Sequence, residues 1–137
     1  MKTFTLLLVS AFCLIFFGCG RIYGPVEEVK AFADEKEDII LQMGKKLEAN
    51  PTEAGVDEAR KMFAAKKDSL KAQKEAIEAA PQGYNNDWYS LLLKTEARHD
   101  EMLNDIGIKF QVACYSEPCR NKWQALEKDF KETVKRK

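Results

Sequence analysis

An all-α fold, an up-and-down antiparallel bundle of four helices, is what this 137-residue sequence predicts. Three observations carry it. Apolar residues recur at three- and four-residue spacing in four separate stretches, and nothing after residue 20 alternates as a half-buried strand does. Breakers fall between those stretches, at Asn50-Pro51, at Pro81-Gln82-Gly83 and at Glu117-Pro118. The breaks are short, so successive helices should pack as antiparallel neighbours. A three-helix core with one peripheral helix is the alternative.

The first helix starts near Pro25, where a missing N–H costs nothing. Val26, Val29, Ala33, Ile40, Met43 and Leu47 form its stripe, with Phe32 and Ile39 beside it. Lys36 interrupts the stripe, and Gly44 weakens the helix by about 1 kcal/mol relative to alanine. In Asn50-Pro51-Thr52-Glu53 the sequence predicts a cap at Asn50, a first helical residue at Pro51 and a capping-box acid at Glu53.

The second helix should run to Ala80 on a thin apolar face: Val56, Ala59, Phe63, Leu70 and Ile77, with Met62 adjacent. Its lysines, Lys66, Lys67, Lys71 and Lys74, interleave with Glu75 and Glu78 as a solvated surface does. A thin face buries little area, at about 25 cal/mol per Å². This helix is therefore expected to be the least firmly docked, and free to receive a partner helix.

Asn85 or Asn86 caps the third helix, and Asp87 suits its positive end. Its stripe is the richest in the chain: Trp88, Leu92, Thr95, His99, Met102, Ile106 and Ala113, flanked by Leu91, Leu103 and Phe110. Gly107 inside it permits close approach of a neighbour. The last helix follows Pro118, with Trp123, Leu126, Phe130 and Val134 on one side. Its terminal Lys131, Lys135, Arg136 and Lys137 complement the helix dipole.

Cys114 and Cys119 lie five apart around Pro118. In an unbroken helix that spacing means about 7.5 Å of rise and 140° of rotation, outside disulfide reach. A disulfide therefore needs a broken helix, and Pro118 supplies the break. The expected result is a turn stapled at its base. Four intervening residues, rather than two, argue against a redox dithiol.

Few residues suggest chemistry. His99 is the only histidine; paired with Met43 it could ligate a haem inside the bundle, but no CxxCH motif is present. A partly buried histidine bonded to a neighbouring polar group is the plainer expectation. One histidine without clustered cysteines does not make a zinc site. The chain also lacks a GxSxG elbow, a phosphate loop and an HExxH helix, so no enzyme, cofactor or metal is expected. Tyr84, Trp88 and Tyr89 cluster before and at the start of the third helix, and Tyr115 and Trp123 near the far turn. Such aromatics cap small cores and also supply binding hot spots; a recognition patch would sit at Tyr84, Trp88 and Tyr89.

The N-terminus reads separately. Lys2 precedes an apolar run, and Thr5 to Phe17 spans 13 residues, short of the roughly 20 that cross a membrane. It suits the core of a secretory signal. The run ends in Phe16-Phe17-Gly18-Cys19, and residues 1–20 resemble a bacterial lipoprotein signal peptide. Gly18 and Cys19 match the lipobox; Phe16 stands where leucine is usual, and Phe17 where a small or β-branched residue is usual. The resemblance implies cleavage before Cys19 and lipidation on it, with ordinary cleavage after Gly20 as the alternative. Residues 1–19 are then the signal, 20–25 a tether and 26–137 the bundle domain.

Removing 19 residues leaves 118 with 21 basic and 22 acidic side chains, a formal charge of −1. Without a basic excess, nucleic acid is not an expected partner. The remaining even pair of cysteines fits an oxidising compartment. Gly20 after Cys19 resembles the pattern that permits delivery to the outer membrane. The expectation is a lipid-anchored cell-envelope protein, periplasmic or surface-facing, that binds or scaffolds an envelope protein without catalysis. A secreted soluble effector, or a carrier of haem or another hydrophobic ligand in the bundle core, is the alternative.

Overall fold

A computed structural model describes residues 26–80 and 86–136, and the side chains of all of these except residues 86–89. The described residues form four helices: α1 (Val26–Ala49), α2 (Glu53–Ala79), α3 (Asn86–Ala113) and α4 (Glu117–Val134). They pack together with no strand among the described residues. The all-α four-helix prediction is met, with its stapled turn.

The helix ends follow local chemistry. Glu27 and Glu28 lie in the first turn of α1, and Lys46 in its last. The cap of α2 is Thr52, not Asn50: its hydroxyl oxygen accepts from the Gly55 N–H at 3.4 Å and donates to Asn50 Oδ1 at 2.7 Å. Pro51 stays outside the helix. Ser116 caps α4 by accepting from the Cys119 N–H at 3.3 Å, with Pro118 in the first turn.

Directions alternate along the chain, but the order around the bundle is α1, α2, α4, α3. Ion pairs fix the register. Asp57 meets Lys122 at 2.7 Å and Lys67 meets Asp129 at 2.6 Å, a nearly constant offset that makes α2 and α4 parallel neighbours. Glu37 to Arg98 at 2.7 Å, and Gly44 beside Ile106, do the same for α1 and α3. Successive helices α2 and α3 lie across the diagonal. The turns at residues 50–52 and 114–116 share one end of the bundle, while the start of α1 and the end of α4 share the other.

All four helices supply fully buried side chains, so no helix is peripheral. The thin face of α2 is nonetheless fully covered. Val56, Ala59, Phe63, Leu70 and Ile77 are at most 1% exposed, and α2 packs along both α1 and α4. Its start is held tightly against the preceding turn. A Cβ on Gly55 would stand 1.8 Å from the Asn50 carbonyl oxygen, so that backbone approach requires glycine. Phe63 then reaches Phe130, ring centroids 5.5 Å apart and tilted. The α3–α4 side is wider and is filled by Phe110 and Trp123, centroids 6.4 Å apart. Gly107 admits the Trp123 indole there: an added Cβ would lie 2.6 Å from its Nε1.

Candidate functional site

The turn between α3 and α4 is the most constrained loop described. The Cys114 N–H donates to the Phe110 carbonyl at 2.7 Å, closing α3, and the Ser116 N–H donates to the Cys114 carbonyl at 2.9 Å. Cys114 and Cys119 form a disulfide with their Cα atoms 6.1 Å apart, as the broken helix allows. Cys119 is buried against the core, which ties the turn to the bundle. On this rigid base stand three large apolar side chains in water: Tyr115 is 89% exposed, Val112 78% and Ile108 56%. With Gln111 and Arg120 they line a shallow hollow of about 270 Å³. Ile108 and Val112 are four apart on the outward side of α3, opposite Phe110, so they belong to one surface.

A second depression of about 530 Å³ runs between the C-terminal halves of α1 and α3. Its floor is Gly44, Met102, Ile106 and Phe110, and Leu41 forms one wall. Gly44 lets the Ile106 side chain pack against the α1 backbone, since a Cβ there would lie 3.0 Å from it. Its rim carries Lys45 and Glu48 from α1, and Asp105 and Lys109 from α3. Lys109 is paired with Asp105 at 2.7 Å, which raises the Lys109 pKa.

A third feature lies inside. Lys36, which the periodicity treats as an interruption, is buried on the α1 stripe with Nζ 4.7 Å from the centre of the Phe32 ring. Burial pushes its pKa down, opposed by Glu96. His99 is buried too, and neither ring nitrogen has a hydrogen-bond partner among the described residues. Its Nε2 lies 3.7 Å from Glu37 Oε2. The expectation of a bonded histidine is thus not met. Desolvation, then the nearby Lys36 charge, lowers the His99 pKa against the pull of Glu37. The rest of the interior is occupied by side chains such as Phe32, Met43, Leu70 and Trp123. Among the described residues no group of three or more His, Cys, Asp or Glu converges to hold a metal ion.

The residues singled out in the sequence are distributed unevenly over this structure. Cys19 and Tyr84 lie outside the described residues; Trp88 and Tyr89 lie in the first turn of α3, and their side chains are outside the description. The bundle separates the far-turn aromatics: Trp123 is core, at 1% exposed, while Tyr115 projects into solvent. Ile108 and Val112 fall off the α3 stripe, so its periodicity does not single out the turn patch. Their i, i+4 spacing beside Tyr115 was the available signal. No helix of the described residues is long and apolar enough to cross a membrane. Comparison with protein-family models, with curated proteins and with solved structures finds no match.

Proposed function

We propose that this chain is a lipid-anchored cell-envelope protein that acts as a non-catalytic binding module, tethered through Cys19 and recognising an envelope protein with the turn patch around Tyr115. The observation that carries the binding role is the combination of exposure and rigidity: Ile108 and Val112 on the last turns of α3, and Tyr115 on the turn that follows, stand in water beside a disulfide and a helix cap. Contiguous exposed apolar surface rimmed by polar groups marks interaction sites. A pre-ordered patch also loses less conformational entropy on binding. The anchor rests on the lipobox-like Gly18-Cys19 after an apolar run of signal-peptide length. Two or more acyl chains on Cys19 would hold firmly where one holds marginally.

A photo-crosslinking residue placed at Tyr115 of the full chain in intact cells tests the binding role, with the same residue at exposed Lys71 of α2 as reference. The expected result is one envelope protein joined at position 115, absent at 71 and lost when Ile108→Glu is added. Equal labelling at both positions overturns the patch. Cys19→Ala tests the anchor separately: it should release the protein to the soluble fraction or leave it uncleaved. A wild-type mature form that begins at Arg21 without lipid overturns the anchor.

A further inference from the structure

We infer that the N-terminal half of α3 is an acid-sensitive flap, which opens away from α1, with the stapled end held, when His99 takes up a proton. The two halves of α3 are held very differently. Its C-terminal half is tied down: Gly107 lies on the Trp123 indole, Phe110 is in the core and Cys114 is bonded to Cys119. Between residues 90 and 102 the buried side chains are Leu92 and His99 alone, with Leu91 and Met102 partly buried against the core. α3 meets α4 sparsely and lies diagonal to α2, so α1 supplies most of what holds this half. Segments with few buried apolar contacts are the ones that open most cheaply.

The seam with α1 also carries the trigger. His99 is 4% exposed, and neither ring nitrogen has a hydrogen-bond partner among the described residues. Lys36 and Glu37 face it from α1, and Arg98 acts on it from its own helix. Glu37 is the counter-ion at hand, with Oε2 3.7 Å from Nε2, but its other oxygen already accepts from Arg98 at 2.7 Å. The acids around Lys36 are taken as well. Glu96 pairs with Arg136 after α4 at 3.4 Å, and Asp100 with Lys131 of α4 at 3.9 Å. A proton on His99 therefore makes a buried imidazolium near a buried ammonium, and moving this half of the helix into water relieves both. Burial and the Lys36 charge lower the folded pKa, so the open form binds the proton first as pH falls. Opening uncovers Leu92, which is 1% exposed in the closed bundle.

Hydrogen exchange on the full chain in mild detergent, read by mass spectrometry and corrected for the intrinsic pH dependence of amide exchange, tests this. The range is about pH 7 to 5, above the ordinary carboxylate titration. Protection across residues 90–102 should fall by up to about tenfold per pH unit below about 6.5. Residues 56–70 of α2 and 106–113 of α3 should keep theirs. His99→Gln should hold the protection of residues 90–102 level over the same range. Lys36→Met keeps the histidine, removes the neighbouring cation and should make the fall smaller. An equal fall in all four helices overturns the flap. So does protection that stays level or rises in acid, or a fall that persists unchanged in either variant.

Discussion

Helices α2 and α3 use their apolar residues in opposite ways. α2 has a thin face and buries all of it, each of its five main apolar side chains at most 1% exposed. α3 has the richer sequence and leaves Leu93, Ile108 and Val112 at 49%, 56% and 78% exposed. Apolar count therefore does not rank how firmly a helix docks. What matters is how completely the face is covered: the five side chains of α2 all lie in the core. Surplus apolar residues on α3 remain for a surface.

The largest test of that contrast is a matched pair of truncations. Phe63→Ala in α2 removes a buried ring in contact with Phe130 and should cost about 3–5 kcal/mol. Leu93→Ala in α3 should cost less than about 0.5 kcal/mol, since half of that side chain is already in water. Urea denaturation of both variants measures the difference. Comparable losses would show that α3 docks as tightly as α2.

Glycines come next. At Gly55 an added methyl meets backbone that cannot swing away, and at Gly107 it meets the rigid Trp123 indole. Gly55→Ala should therefore destabilise by about 3 kcal/mol and Gly107→Ala by about 2 kcal/mol, in spite of the roughly 1 kcal/mol that alanine gains over glycine in a helix. The staple is of similar weight. Closing the six-residue loop from Cys114 to Cys119 limits the unfolded chain by about 2 kcal/mol. Cys114→Ser should lower the melting temperature by that equivalent and keep the helical circular-dichroism signal.

Much of this architecture is legible in the sequence for a simple reason: helix stripes, breakers and the Cys-Pro-Cys turn are local. The cap at Thr52 slipped two residues because Asn50 and Thr52 are both good caps, and the Gly55 N–H decides between them. The diagonal placement of α2 and α3 was not legible, because it depends on which pairs of faces meet. What surrounds Lys36 was not legible for the same reason. Only the fold shows that its stripe position lies over the Phe32 ring and near His99, Glu96 and Arg136. The turn patch is legible afterwards, as apolar residues opposite a stripe that is already complete.

Lys36 and His99 give the one prediction that raises stability. Lys36→Met keeps the aliphatic bulk and removes a buried amine, so it should stabilise by about 1 kcal/mol at neutral pH. His99 sets a pH window. Its folded pKa lies below the ordinary 6.5, so the unfolded chain takes up a proton first as pH falls. The contribution is fully present above 6.5 and is lost as pH falls through the lower, folded value. Lys36 and Glu37 of α1 and Arg98 of α3 all act on this group. In Lys36→Met the cation is gone, so the folded pKa rises toward 6.5 and the acid loss should end at a higher pH and be smaller. An unchanged acid profile would mean Lys36 and His99 are not coupled.

The smallest effect should come from Val112→Ser. Val112 touches so little of its own bundle, at 78% exposed, that the protein should lose less than about 0.5 kcal/mol. Its urea-denaturation midpoint should coincide with that of the wild type. A clear loss would mean that Val112 is covered within the chain, and that α3 has no apolar residue to spare at this end.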